Sequence, residues 1–368
     1  MSDGRETIAF AERVLAVLEL GSFSATYKYA LFTAILDLCL ESVSATGAPP
    51  TSLTTRQLAT KVVELYWPHA APYEGRTVLR QGGGRTEQAE ILRSVQRFRS
   101  SPAVGGEVSP RRARERDPEG FGRLVDAVEW KLVEMPIPKL QRVGGSEDRF
   151  LYEYTWGEGV RASDVAAARR GEKVGFDNQV RLRPDVAEML LRLNGILRPL
   201  VRREWAAMVA SMNGLAESRL EEFLFGAPRA SLEPVRGPLR ELQSGRCFYC
   251  DGAVHSASEV DHFIPWSRYP DNGLENLVLT HARCNAAKRE VLAAAEHVER
   301  WAGRNARHAG ELAAIAAAVA WEREPHRTAA VARATYLRLP DGVRLWLAGS
   351  ELVPLDRERL SRALLCTA

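Results

Sequence analysis

The residues with the most evident chemistry lie in one stretch, CFYCDGAVHSASEVDHFIPWSRYPDNGLENLVLTHARCNAAK, residues 247–288. Cys247 and Cys250 form a CxxC pair, and His281 and Cys284 form an HxxC pair. Two thiolates can converge from a tight turn, and the second pair completes a tetrahedron of borderline-soft ligands suited to zinc. Such a site has no vacancy for water, so the spacing predicts a structural Zn2+. A unit of about forty residues buries too little apolar surface to hold itself together, and the metal supplies the missing stability.

The chain has 5 Cys in all, and the remaining pair, Cys39 and Cys366, stand isolated in apolar surroundings. They read as small buried hydrophobes. An odd, clustered set of cysteines points to metal binding over disulfides.

Between the ligand pairs runs EVDHFIPWS, where Asp261 and His262 are neighbours on a predicted strand. Adjacent strand residues face opposite sides, so serving one site requires a bend, which the Pro265 region can supply. Taken singly, Asp261 and His262 read as a surface ion and a satisfied histidine, and Asn276 and Asn285 as turn or cap residues. Their joint order changes that reading.

The succession CxxC, VDHxxPxS, ENLxLxHxxCNxxK resembles the HNH endonuclease family, over residues 245–292 only. The resemblance implies two antiparallel strands and a helix gripping a divalent metal at the scissile phosphate. It implies His262 as the general base that deprotonates water, a task suited to neutral imidazole. Asp261 becomes a ligand of the catalytic cation, and Asn285, where the family signature ends, gives a second oxygen. The chain is then an H-N-N variant, and its amide oxygen favours Mg2+ while leaving Mn2+ open. Asn276 matches the central asparagine that braces the loop after the base. Lys288, Arg268 and Arg283 become candidate nucleic-acid contacts, and Glu259 matches an acidic position without a fixed role. His281 belongs to the zinc set by its spacing to Cys284, while His255, His69, His297, His308 and His326 match no signature position.

The implied activity is metal-dependent hydrolysis of DNA, with double-stranded DNA as the expected partner and restriction or phage defence as the role, by analogy. A homodimer or a partner protein of a defence system would fit that role. An RNA-directed nuclease, for example one acting on transfer RNA, uses the same chemistry, though nothing in the sequence reads a 2′-hydroxyl. A zinc knuckle that binds nucleic acid without cutting it would need only the cysteines, His281 and basic neighbours.

The surrounding chain must position this segment. It has 368 residues, 45% hydrophobic, enough for two or three domains, and a formal net charge of only +3. The molecule is not a polycation, so nucleic-acid affinity must come from local patches. No basic start followed by an apolar run marks a secretion signal, and no long uncharged apolar stretch marks a membrane span, so the sequence reads as cytoplasmic without membrane association.

Helical spacing recurs in TYKYALFTAILDLCLE, in TTRQLATKVVELYW with Thr54 and Gln57 placed as a capping box, and in RTEQAEILRSVQRFR after the flexible Gly82, Gly83, Gly84 run. A long helix is expected after Pro184, in PDVAEMLLRLNGILRPLVRREWAAMVASMN, kinked at Pro199 and with Arg192, Arg198, Arg202 and Arg203 around it. A DNA-facing side is open there. RFLYEYTW alternates as a strand. The run RRARER inside SSPAVGGEVSPRRARERDPEG can touch phosphate or be a solvated charge run.

The expected fold class is mainly α with an embedded ββα-metal HNH module, α+β overall. Its divisions are a helical N-terminal region (1–100), a linker or long loop (101–120), a mixed, mostly helical middle region (121–244), the nuclease module (245–292) and a helical C-terminal cap (293–368).

Overall fold

The computed structural model describes residues 2–20, 24–82, 88–107, 109–143, 145–172, 175–217, 220–226, 231–254 and 258–365. Gly83, Gly84, the first residues of RTEQAEILRSVQRFR, His255 and Cys366 lie outside them. The chain is α+β and mainly helical, with small antiparallel sheets. It divides into two compact units, Met1–Cys39 with Pro50–Pro228, and Leu40–Pro49 with Arg229–Ala368.

In the first unit the helix Thr55–His69 starts with a closed capping box: the Gln57 N–H donates to Thr54 Oγ1 at 3.1 Å and the Thr54 N–H to Gln57 Oε1 at 2.8 Å. Its buried side packs on the helix Pro118–Glu134, and a short sheet places Gln179–Leu182 between Ser52–Thr54 and Tyr152–Glu153. The strand expected across RFLYEYTW shrinks to Tyr152–Glu153, and Gln141 Oε1 takes the N–H groups of Leu151 and Tyr152 at its start. Gly82 is held in a bridge with Ala25, so close that a Cβ would stand 2.4 Å from the Ala25 Cβ, so this glycine is required by close approach.

Two expectations are corrected here, the 101–120 linker and a DNA-facing Arg198. The 101–120 stretch contains the helix Pro110–Arg116, started by Ser109 as N-cap and Pro110 at its first turn, with Ala113 fully buried. Asp117 and Pro118 open the next helix in the same way. The helix Val186–Asn213 begins after Pro184 and runs through Pro199 as one element. Arg198 cannot face DNA, since it is buried against Asp37 and Asn194. Arg192 pairs with Glu188, Arg203 pairs with Glu204, and Arg202 lies over Phe225.

His69 is a satisfied core histidine. Its Nε2–H meets the Leu224 carbonyl at 3.0 Å, and Nδ1 accepts from the Gln81 amide at 2.9 Å. Burial pushes it down to about 4. Cys39 is likewise buried, which pushes its thiol up to about 12.

In the second unit the hairpin Ser258–His262 with Leu277–His281 is followed directly by the helix Ala282–Lys288. The pairing runs Ser258 to His281, Glu259 to Thr280, Val260 to Leu279, Asp261 to Val278 and His262 to Leu277. Gln243, at the end of Glu233–Leu242, binds both backbone groups of Leu279 at 2.9 Å and closes that strand edge. The helix Ala295–Arg307 supports the hairpin from below: Trp301 stacks on Phe263 at 5.1 Å, and Arg304 donates to the carbonyls of Glu275 and Leu277 at 2.7 Å. Trp346, in the hairpin Arg344–Ala348 with Glu351–Pro354, exchanges backbone bonds with Leu292 and Ala294. No helix among the described residues is long and apolar enough to cross a membrane.

Candidate functional site

Cys247, Cys250, His281 and Cys284 come together as the spacing predicts, with their ligand atoms all within 4.8 Å of one another. Ligands around a tetrahedral zinc at bond lengths of about 2.0–2.3 Å stand about 3.5–3.8 Å apart, so the set fits the ion. The turn is held by the Cys247 N–H on the Gly252 carbonyl and the Asp251 N–H on the Cys247 carbonyl, both at 2.9 Å. Asp251 accepts a left-handed φ of 57° to make it. His281 Nε2–H donates to the Ala253 carbonyl at 3.0 Å, which turns Nδ1 toward Cys250 Sγ at 3.3 Å and Cys284 Sγ at 3.9 Å. Burial and the neighbouring Cys247 push the Cys284 thiol up to about 12. A divalent cation removes that repulsion between thiolates.

The helix that carries Cys284 lies over the strand that carries Asp261, and polar contacts from Asn285 and Lys288 join them. Asn285 Nδ2 donates to Glu259 Oε2 at 2.8 Å, and Lys288 Nζ meets Asp261 Oδ2 at 3.0 Å. Glu259 and Asp261 are two apart on the strand, and Asn285 and Lys288 three apart on the helix, so each pair shares a face. Asp261 also accepts the Tyr249 hydroxyl at 2.6 Å. Lys288 is fully buried and donates further to the His262 carbonyl at 3.0 Å. The expected phosphate contact of Lys288 is therefore corrected: its ammonium is turned inward, where an unpaired charge would be costly. Arg268 and Arg283, the other two basic candidates, are exposed.

His262 has different company. Its Nε2 lies 2.8 Å from Asn272 Oδ1, and its ring packs edge-on against Trp266 at 5.3 Å. His262 is the last paired residue of the strand and the chain bends at Phe263 and Ile264, so the expected bend near Pro265 falls directly after the Asp261-His262 step and not between the two residues. Asn276 is fully buried and fixes that turn: Oδ1 accepts from Ile264 N at 2.8 Å, and Nδ2 donates to the carbonyls of Ile264 at 3.2 Å and Asp271 at 3.0 Å. Asp261, His262 and Asn285 are thus on neighbouring elements without bonding to one another. Sequence reasoning missed Tyr249 and Asn272. Tyr249 lies inside the CxxC pair and Asn272 ten residues past His262, where only the folded hairpin reveals a partner.

With this geometry in view, the family comparisons divide the chain. Residues 7–224, more than half of it, match the family described as Domain of unknown function (DUF8808). The chain belongs to that family. Residues 247–294 match the family described as HNH endonuclease. The DUF8808 region and the HNH segment do not overlap, and both metal-ligand pairs and the Asp261-His262 step fall in the HNH segment. No curated protein and no solved structure matches the chain. The HNH match supports nuclease activity in this segment and implies a nucleic-acid substrate, and the same segment contains a Cys3His cluster able to hold zinc.

Proposed function

We propose that the chain is a metal-dependent endonuclease that hydrolyses DNA phosphodiester bonds through a ββα-metal centre in the HNH segment. The seating of His262 carries the reading. Asn272 Oδ1 can only accept a hydrogen bond, so Nε2 carries the proton and Nδ1 is left as the base. Nδ1 takes the proton from the attacking water, and Asn276 keeps the following turn from moving the ring.

Glu259, Asp261 and Asn285 put hard oxygen donors where the strand meets the helix, the donor chemistry that Mg2+ or Mn2+ takes. Asp261 and Asn285 would hold the ion. Bound there, a divalent cation would supply charge neutralisation for the transferring phosphate and for the leaving 3′ oxygen. Products carry 5′-phosphate and 3′-hydroxyl ends. Cys247, Cys250, His281 and Cys284 would hold zinc for structure alone.

One HNH segment has one base, so a monomer nicks, and a double-strand break requires a dimer or two encounters. The DUF8808 region would select substrate, partner or trigger, in a cytoplasmic restriction or phage-defence role. Incubation with Mg2+ and supercoiled plasmid, linear duplex and RNA, each with a chelator control, tests the substrate. Chelator-sensitive nicking of plasmid is expected, and cleavage of RNA alone would reassign the polymer.

A further inference from the structure

Tyr249 lies between the two cysteines of the knuckle, yet its hydroxyl belongs to the other site. It is buried, its ring meets Trp346 edge-on at 5.0 Å and His297 at 5.2 Å, and its hydroxyl donates to Asp261 Oδ2 at 2.6 Å. Arg300 fixes the same turn by donating to the carbonyls of Phe248 and Tyr249 at 2.6 and 3.0 Å. Lys288, on the helix that carries Cys284, reaches the same Asp261 oxygen at 3.0 Å. Both arms on this carboxylate therefore start from segments that carry zinc-ligand residues.

We propose that Tyr249 is a positioning residue for the nuclease reaction: it fixes the Asp261 carboxylate for the catalytic cation and couples the zinc knuckle to that site. This rests on the assignment of Asp261 as a ligand of that cation. A carboxylate held in one rotamer binds a hard cation without first losing its own freedom. Freed of Tyr249, Asp261 keeps its charge paired by Lys288 but loses one of its two anchors.

The test uses full-length, zinc-loaded Tyr249→Phe and Asp261→Asn beside wild type, with Mn2+ affinity read by electron paramagnetic resonance and cleavage read across Mg2+ concentration. For Tyr249→Phe the zinc content stays unchanged, the Mn2+ Kd rises about 5–10-fold, and saturating Mg2+ restores most of kcat. A merely structural tyrosine would not produce that split. Asp261→Asn loses the Mn2+ site. An unchanged Kd in Tyr249→Phe, with the site lost in Asp261→Asn, overturns the positioning role. An unchanged Kd in Asp261→Asn overturns the ligand assignment itself, and this inference with it. Should Tyr249→Phe fail to fold, the near-ultraviolet difference spectrum of wild type on adding Mg2+ decides: a tyrosine perturbation is expected, and a flat spectrum contradicts the coupling.

Discussion

Lys288 Nζ stands 3.0 Å from Asp261 Oδ2, with the lysine side chain fully buried. A basic residue one helical turn beyond Asn285 is thereby a partner of the strand and not of the solvent. Removing it leaves a buried carboxylate without its counter-charge, so Lys288→Ala is expected to destabilise the second unit by about 3–5 kcal/mol. Urea denaturation measures this. A variant as stable as wild type, with weakened DNA binding, would restore the phosphate-contact role.

Zinc should be present at one ion per chain, and Cys250→Ser should lose it. Because the ligand residues bracket the hairpin and start its helix, zinc loss is expected to expose 245–292 to proteolysis. Metal analysis with limited digestion checks both, and a variant that keeps wild-type protease resistance without metal would deny the structural role.

Asn272→Ala removes the side-chain oxygen that faces His262 Nε2 and that, on the proposed mechanism, leaves Nδ1 as the base. A fall in kcat on the order of 10–100-fold, with KM little changed, is expected. Steady-state kinetics on a nicked-plasmid readout distinguishes this from a loss of binding, which would raise KM instead.

His69 makes stability pH-dependent. Its folded-state value is depressed by burial to about 4, whereas the unfolded chain titrates near ~6.5. The unfolded state therefore binds the extra proton first as pH falls. The contribution, roughly 3 kcal/mol, is complete above about pH 6.5 and is lost progressively down to about pH 4. Denaturation of wild type and His69→Gln across that window checks it: the difference between them should shrink as pH falls, and a constant difference would contradict it.

Which residues the sequence revealed follows from how local their geometry is. Each zinc-ligand pair is set by one short turn, and Thr54 with Gln57 by one helix start, so spacing alone found them. Asn276 was legible through the family signature, and its bonds to Ile264 and Asp271 place it on the loop after His262. Lys288 and Arg198 were misjudged because the side a helix buries depends on its neighbours, which a cationic residue type does not disclose. Tyr249 and Asn272 gain their partners only when the hairpin closes. The helix at Pro110–Arg116 was legible but overlooked: Ser109-Pro110 and Asp117-Pro118 are start signals that the charged, Gly-rich composition obscured.

His262 is proposed as the base of a DNA-cutting centre. Supercoiled plasmid incubated with Mg2+ and either wild type or His262→Ala tests it most directly, with zinc content and melting temperature measured on both proteins. Nicked circles are expected with wild type and none with His262→Ala, at equal zinc content and stability. Nicking by His262→Ala at the wild-type rate would contradict it.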